Sequence, residues 1–311
     1  MSMLSRNSCC NSRDRSGYQQ IIKRFPANHK EIESLYSRLQ EVGKEKDWLK
    51  TILEPHTTLL VIDMQNDFIS GSLAVTGAED LIGPMSDMIE DDVWDQIIFS
   101  KDWHPRDHIS FFSNIGLREL DPDWLAKHPK DIEMFQEVVF ERDPPYHQVM
   151  WPDHCVQGSE GADENYITKY LAFIVSSSNI QSSLSLPSNA EFIEKGTNPE
   201  IDSYSAFFDN TGVFGAGSTG LNEMVSGSTE IVVVGLALDF CVGSSSIDSL
   251  KLGFPTSLLM DMTKPVNEET GAEMLLKVEM AGGRFTSFQE WKENHGSWRK
   301  AKEIAEFLIT I

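Results

Sequence analysis

The sequence predicts an α/β protein, a parallel sheet with helices on both of its faces. Three observations carry that expectation. Short apolar, β-branched runs recur, as at 58–62 (TLLVI) and 230–234 (EIVVV). Stretches with helical spacing of apolar residues alternate with them. Four of the runs are followed by a residue able to do chemistry: Asp63, Asp102, Lys195 and Cys241. Strands alternating with helices pair in parallel and read as near-continuous apolar runs. In such sheets ligands bind at the carboxyl ends of the strands.

The elements follow in order. Residues 1–30 set Arg6, Arg13, Arg15, Lys23, Arg24 and Lys30 against one acid, Asp14, and are Ser-rich. That composition predicts a disordered leader; a targeting segment or a lipidated Cys9–Cys10 pair is the alternative. From 31 to 53, Ile32, Leu35, Tyr36, Leu39, Val42, Trp48, Leu49, Ile52 and Leu53 recur at helical spacing. Residues 1–55 are therefore expected to be an N-terminal extension ending in a helical segment, and 56–311 the main domain. Within that body, strands are expected at 58–62, 95–100, 135–141, 191–194, 230–234, 256–260 and 284–286. Helices are expected at 78–94, 240–252, 267–281 and 297–309. The stretches 113–130, polar and Pro-containing, and 175–188, Ser-rich, look like insertions.

Composition removes several classes of function. The net charge of −22 disfavours nucleic acid and anionic membranes as partners. No run of about 18 apolar residues is present, so no transmembrane helix is expected. Four cysteines in 311 residues, widely scattered, suit a reducing compartment rather than a disulfide framework. The expected location is the cytoplasm, with the nucleus as the alternative.

Three constellations carry chemistry. Cys241 falls at a strand-to-helix turn, where unpaired N–H groups and the helix dipole favour a thiolate. Asp102-Trp103-His104 places a carboxylate and an imidazole on one side of an extended segment. With His154 of Trp151-Pro152-Asp153-His154 it makes one carboxylate and two imidazoles, a set suited to zinc, iron or manganese. Asp153 and His108 compete as ligands at this stage. Asp63 is a candidate base for a thiol, with Asp67 as its rival. Lys195, beside a strand end and the aromatic loop 202–207, could pair with Asp63 and the thiolate and lower both pKa values.

Five ordered segments carry a family resemblance: 60–68 (LVIDMQNDF), 100–111 (SKDWHPRDHISF), 151–161 (WPDHCVQGSEG), 195–207 (KGTNPEIDSYSAF) and 234–242 (VGLALDFCV). Together they resemble the nicotinamidases of the isochorismatase-like cysteine hydrolase superfamily, of eukaryotic type, over about 57–265. The resemblance implies a six-stranded parallel sheet and a catalytic triad of Asp63, Lys195 and Cys241. It implies a divalent metal on Asp102, His104 and His154, zinc before iron or manganese. It implies a cis peptide at Leu236–Ala237, with the Ala237 and Cys241 amides as an oxyanion hole. It places Phe68, Trp151 and Tyr204 around the substrate.

The implied activity is deamidation of nicotinamide through a cysteine thioester, in NAD salvage. Members of the family often form oligomers. An amidase of the same superfamily acting on carbamoyl or ureido groups is the nearest alternative, and Asp102, His104 and His154 count against it because those relatives generally lack the metal set. A catalytically silent scaffold is the alternative of another class.

Overall fold

The computed structural model describes residues 56–128, 131–163, 187–211 and 217–294. The expectations for 1–55, for 297–309 and for all but the end of 175–188 lie outside the described residues.

Six strands form one parallel sheet. They are β1 (Thr57–Ile62), β2 (Gln96–Asp102), β5 (Ala190–Lys195), β6 (Glu230–Leu236), β7 (Thr256–Lys264) and β8 (Arg284–Thr286), in the order β5-β2-β1-β6-β7-β8. β1 and β6 are buried at every position, which is why their sequences show no polar alternation. β3 (Glu137–Phe140) and β4 (Tyr146–Val149) form a separate antiparallel pair. The strand expected at 135–141 therefore exists but lies outside the parallel sheet.

Helices α1 (Ile82–Ile89), α2 (Gly243–Lys251) and α3 (Glu268–Met280) fill the crossovers. The path β1-β2-β5 runs outward in one direction and β6-β7-β8 in the other. Right-handed crossovers then put α1 on one face and α2 and α3 on the other. The order reverses between β1 and β6, the switch point where such sheets open a crevice. The helix expected over 78–94 is shorter: a 3₁₀ turn at Ala78–Leu81 leads into α1, which ends at Ile89. The insertion at 113–130 is partly structured, with a 3₁₀ stretch Phe112–Leu117 and a helix Pro122–Lys127. Its Ile115, Leu120 and Trp124 pack on Ile109, Val138, Phe140 and Met150, a satellite core beneath the β3–β4 pair.

Register sets the functional ends level. Asp102 pairs with Lys195 across β2 and β5, and Ile62 pairs with both Ser100 and Gly235. Asp63 and the turn before Cys241 therefore leave the sheet side by side. Gly235 makes this approach feasible. Its φ is 110°, and a Cβ there would collide with the Ile62 carbonyl oxygen. Gly235→Ala is expected to cost at least about 2 kcal/mol, the scale of backbone strain plus core overpacking. Urea unfolding of the variant, with an unchanged slope and a lower midpoint, checks it.

Candidate active site

Four chain segments converge on one buried ammonium. Lys195 Nζ lies 2.9 Å from Asp63 Oδ2, forms a short ion pair with Asp102 Oδ1, and donates to Ser203 O at 3.0 Å and to Cys241 Sγ at 3.3 Å. Its side chain is 0% exposed, so these contacts replace water completely. Asp63 leaves β1 with φ 47°, a conformation unusual for a residue other than glycine and frequent at functional sites. The Ser100 hydroxyl donates to its Oδ1 at 2.6 Å. Its Oδ2 has no donor other than Lys195 among the described residues. The Asp63 and Asp102 carboxylates and the Cys241 sulfur lie within 4.8 Å of one another.

Electrostatics leaves a proton to be moved. Burial pushes the Cys241 thiol well above its usual range, against the pull of Lys195 and with help from Asp63 and Asp102. Burial also raises Asp63, again against Lys195, and the Asp102 charge adds to the rise. A neutral thiol thus rests beside a carboxyl group of increased basicity, which favours proton transfer to Asp63 as the sulfur attacks. Lys195 stays charged: burial works against its ammonium, but Asp102 and Asp63 outweigh that and raise it.

Cys241 lies in a tight turn, Leu238–Val242, wound wider than an α-helix and running directly into α2. The Leu236–Ala237 peptide is cis. The Ala237 carbonyl accepts from Phe240 N–H and Val242 N–H, both at 3.1 Å. The buried Asp239 carboxylate pins the turn to the start of α3, accepting from Val266 N–H at 2.9 Å, Asn267 N–H at 3.0 Å and the Thr270 hydroxyl at 2.6 Å.

Asp102, His104 and His154 form a second cluster next to the lysine. Their ligand atoms fall within 4.8 Å of one another, and all three residues are buried. His104 Nδ1 donates to Gly196 O at 2.9 Å and His154 Nδ1 to Pro152 O at 2.8 Å, which turns both Nε2 atoms toward Asp102 Oδ2, at 3.5 and 3.8 Å. Backbone acceptors at Nδ1 with Nε2 left over are the arrangement of metal-binding histidines. His104 Nε2 is buried with no hydrogen-bond partner among the described residues, so the residues present fit a divalent cation. Gly196, at φ 64°, brings its carbonyl this close because a Cβ would strike the His104 ring. The loop carrying His154 is stitched on by His104 N–H to Cys155 O at 3.0 Å and Gln157 N–H to His104 O at 2.8 Å. Burial and the neighbouring His104 push His154 down to about 4, so its ring is neutral at pH 7. Burial opposes a charge on His104 too, but Asp102 outweighs it and raises that ring, so a cation binding here displaces a proton.

Above both clusters a pocket of about 370 Å³, its open mouth included, is lined by Phe68, Trp151, Tyr204 and Phe240, with Leu73 and Val266, and meets Asp102, His154, Ala237 and Cys241. Trp151 and Tyr204 each meet Phe240 edge-on, at 4.9 and 5.3 Å between ring centres, and Trp151 Nε1 donates to Tyr204 Oη at 3.3 Å.

All the residues singled out from the sequence for the triad, the metal and the ring pocket meet here. Of the rivals, Asp67 and Asp153 stand apart, while His108 packs against the cluster. Asp67 accepts from Cys155 N–H at 2.7 Å and Ser72 N–H at 3.1 Å, a brace for the His154 loop. Asp153 is exposed and takes the Ser113 hydroxyl at 2.6 Å. His108 stacks on the His104 ring at 4.1 Å and bonds Ser110 Oγ through Nδ1 at 2.7 Å. The sequence reading missed Phe240, Ser100, Asp239 and Asp202. Phe240 alone left a signal, as the aromatic next to the cysteine.

No family model matches the chain. Among curated proteins, the nicotinamidase of Escherichia coli (strain K12) is 31% identical over 252 residues, 78% of this chain and 100% of that protein. The nicotinamidase of Saccharomyces cerevisiae is 30% identical over 239 residues, 71% of this chain and 93% of that protein. Among solved structures, the yeast nicotinamidase bound to the inhibitor nicotinaldehyde aligns at a TM-score of 0.58 with 28% identity, covering 74% of this chain and 99% of the other. The pyrazinamidase of Pyrococcus horikoshii in complex with zinc aligns at 0.52 with 25% identity, covering 75% and 100%.

Removing the ammonium tests the electrostatics. In Lys195→Met two buried carboxylates face each other without a counter-charge, a loss of about 3–5 kcal/mol. Their folded-state pKa values then rise above the unfolded value of about 4, so the fold binds protons that the unfolded chain does not. The destabilisation grows from pH 5 to pH 8, and melting temperatures of variant and parent across that range measure it.

Proposed function

Because the chain belongs to the nicotinamidase family, we propose that it hydrolyses nicotinamide to nicotinate and ammonia through a thioester on Cys241, a step of NAD salvage. The observation that carries the reading is the single ammonium of Lys195 touching Asp63, Asp102 and Cys241 at the edge of an aromatic pocket.

The steps follow from these contacts. The neutral pyridine ring packs among Phe68, Trp151 and Tyr204. Asp102, His104 and His154 would hold a divalent cation, which supplies, when bound, an anchor for the ring nitrogen. Zinc is our first choice among zinc, iron and manganese. Asp63 takes the Cys241 proton as the sulfur attacks the carboxamide carbon, and Lys195 balances the charge that passes between them. The oxyanion is assigned to the Ala237 and Cys241 amides, beside the pocket; losing one such donor costs about 100–1,000-fold in rate. Asp63 returns its proton to the nitrogen, the C–N bond breaks and ammonia leaves. Asp63 then takes a proton from water as the oxygen attacks the thioester, and the sulfur leaves with that proton, restoring the thiol.

No helix among the described residues is long and apolar enough to cross a membrane. Cys155 and Cys241 are both free and buried, which supports a reducing compartment; we place the enzyme in the cytoplasm.

Ammonia release from nicotinamide is the assay. Cys241→Ala is expected to lose activity by about 10⁴-fold or more, with its metal content intact; retained turnover overturns the nucleophile. His104→Ala is expected to lose metal and substrate affinity together, and full activity in a metal-free preparation overturns the role of the metal.

A further inference from the structure

Three of the described residues other than glycine take a left-handed backbone: Asp63 at φ 47°, Cys155 at 46° and Phe135 at 70°. Asp63 belongs to the reactive cluster, and the Cys155 carbonyl accepts the His104 N–H. Strained backbone gathers at functional sites, and Phe135 is the one of the three without a task so far. For a bulky side chain this φ is a marked outlier. Gln136 N–H donates to Glu133 O at 3.2 Å, closing a four-residue turn with Phe135 in third place. A positive φ at that place calls for Gly or Asn. Burial does not account for the phenylalanine either, because it is 56% exposed.

The ring of Phe135 meets Trp151. Their centres are 5.9 Å apart and their planes 74° apart, an edge-to-face pair. The β3–β4 pairing extends to this point, with Phe135 N–H donating to Met150 O at 2.7 Å, one residue before Trp151. Phe135 does not line the pocket that Trp151 lines, so it touches the indole from outside. The main chain of Trp151 is fixed by its own N–H to Ser110 O and by Phe112 N–H to its carbonyl, both at 2.7 Å. Those bonds leave the side-chain torsions to be set by contacts. Tyr204 and Phe240 supply two contacts, but both line the pocket and both are only partly buried. A ring entering the pocket presses on them. Phe135 gives a support that the ligand does not disturb.

We propose that Phe135 is a positioning residue: it fixes the Trp151 indole from outside, so that the pocket is shaped for a flat neutral ring before the ring arrives. The inference rests on the reading of Trp151 as a wall of the substrate site. The strained turn puts an aromatic edge where glycine could not supply one, and the return is a preorganised pocket.

The test compares the full chain with Phe135→Gly, Phe135→Tyr and Phe135→Leu in ammonia release from nicotinamide. Glycine suits a φ of 70°, so Phe135→Gly relieves the turn while removing the ring. Its KM is expected to rise about 2–10-fold, the factor that matches the loss of one edge-to-face pair, with kcat little changed. Phe135→Tyr keeps the ring and is expected to keep the parental KM. Phe135→Leu keeps the strain and the apolar bulk without the aromatic edge, and is expected to follow Phe135→Gly. A merely structural role moves the urea midpoint and leaves KM alone, so an unchanged KM in Phe135→Gly overturns the inference whatever the midpoint does. A KM raised as much by Phe135→Tyr as by Phe135→Gly overturns it too. A parent that releases no ammonia from nicotinamide overturns the proposed function instead. Crystal structures of the parent and Phe135→Gly then decide the inference: a Trp151 indole turned out of place in the variant supports it, and one in the parental position contradicts it.

Discussion

The Lys195 ammonium is the contact on which the site depends. It bridges a candidate base, a candidate nucleophile and a candidate metal ligand that arrive from different strands. Burying an ammonium and two carboxylates is expensive, and their mutual attraction does little more than repay that cost. The cluster is therefore poor evidence of a stabilising device and good evidence of a reactive one. Its effect is to hold a neutral thiol next to a carboxylate whose basicity burial has raised, with a fixed positive charge within reach of both. A proton can then move without water rearranging around it.

The sheet makes this convergence possible. Parallel pairing sends β1, β2, β5 and β6 out of the sheet on the same edge, and the registers of Asp102 with Lys195 and of Ile62 with Gly235 set their ends level. Two backbone conformations complete the alignment: the left-handed Asp63 and the positive φ of Gly235. Both sit at the switch point between β1 and β6, where the order of strands reverses. The β3–β4 pair and the partly helical insertion are additions to this plan, and they present Trp151, the His154 loop and the Gln148 that grips Asp202.

How far the sequence could be read depended on the kind of signal. Asp63, Lys195 and Cys241 were legible because each follows a buried apolar run, and strand ends in a parallel sheet share an edge. Asp102 and His104 were legible through their alternation. Choosing His154 over Asp153, and setting His108 aside, needed the fold: only the loop's hydrogen bonds to His104 and Asp67 show which side chain turns inward. The pair β3–β4 was half hidden, since Tyr146–Val149 (YHQV) is short and polar and its partner resembles a sheet strand. β7 runs on through Asp261, Thr263 and Lys264, where polarity suggested a stop, and its register to β6 shifts between Val233 and Gly235. Asp202 and Asp239 escaped because an acidic residue in a loop carries no sign of burial until the loop is folded.

The covalent role of Cys241, set up by Lys195 and Asp63, is the central claim, and one measurement reaches it most directly. Acid-quenched samples taken during turnover of nicotinamide, digested and analysed by mass spectrometry, should show a nicotinoyl group on the peptide containing Cys241. A nicotinoyl group on any other residue, or turnover at full rate with Cys241 unmodified at every time point, contradicts the account.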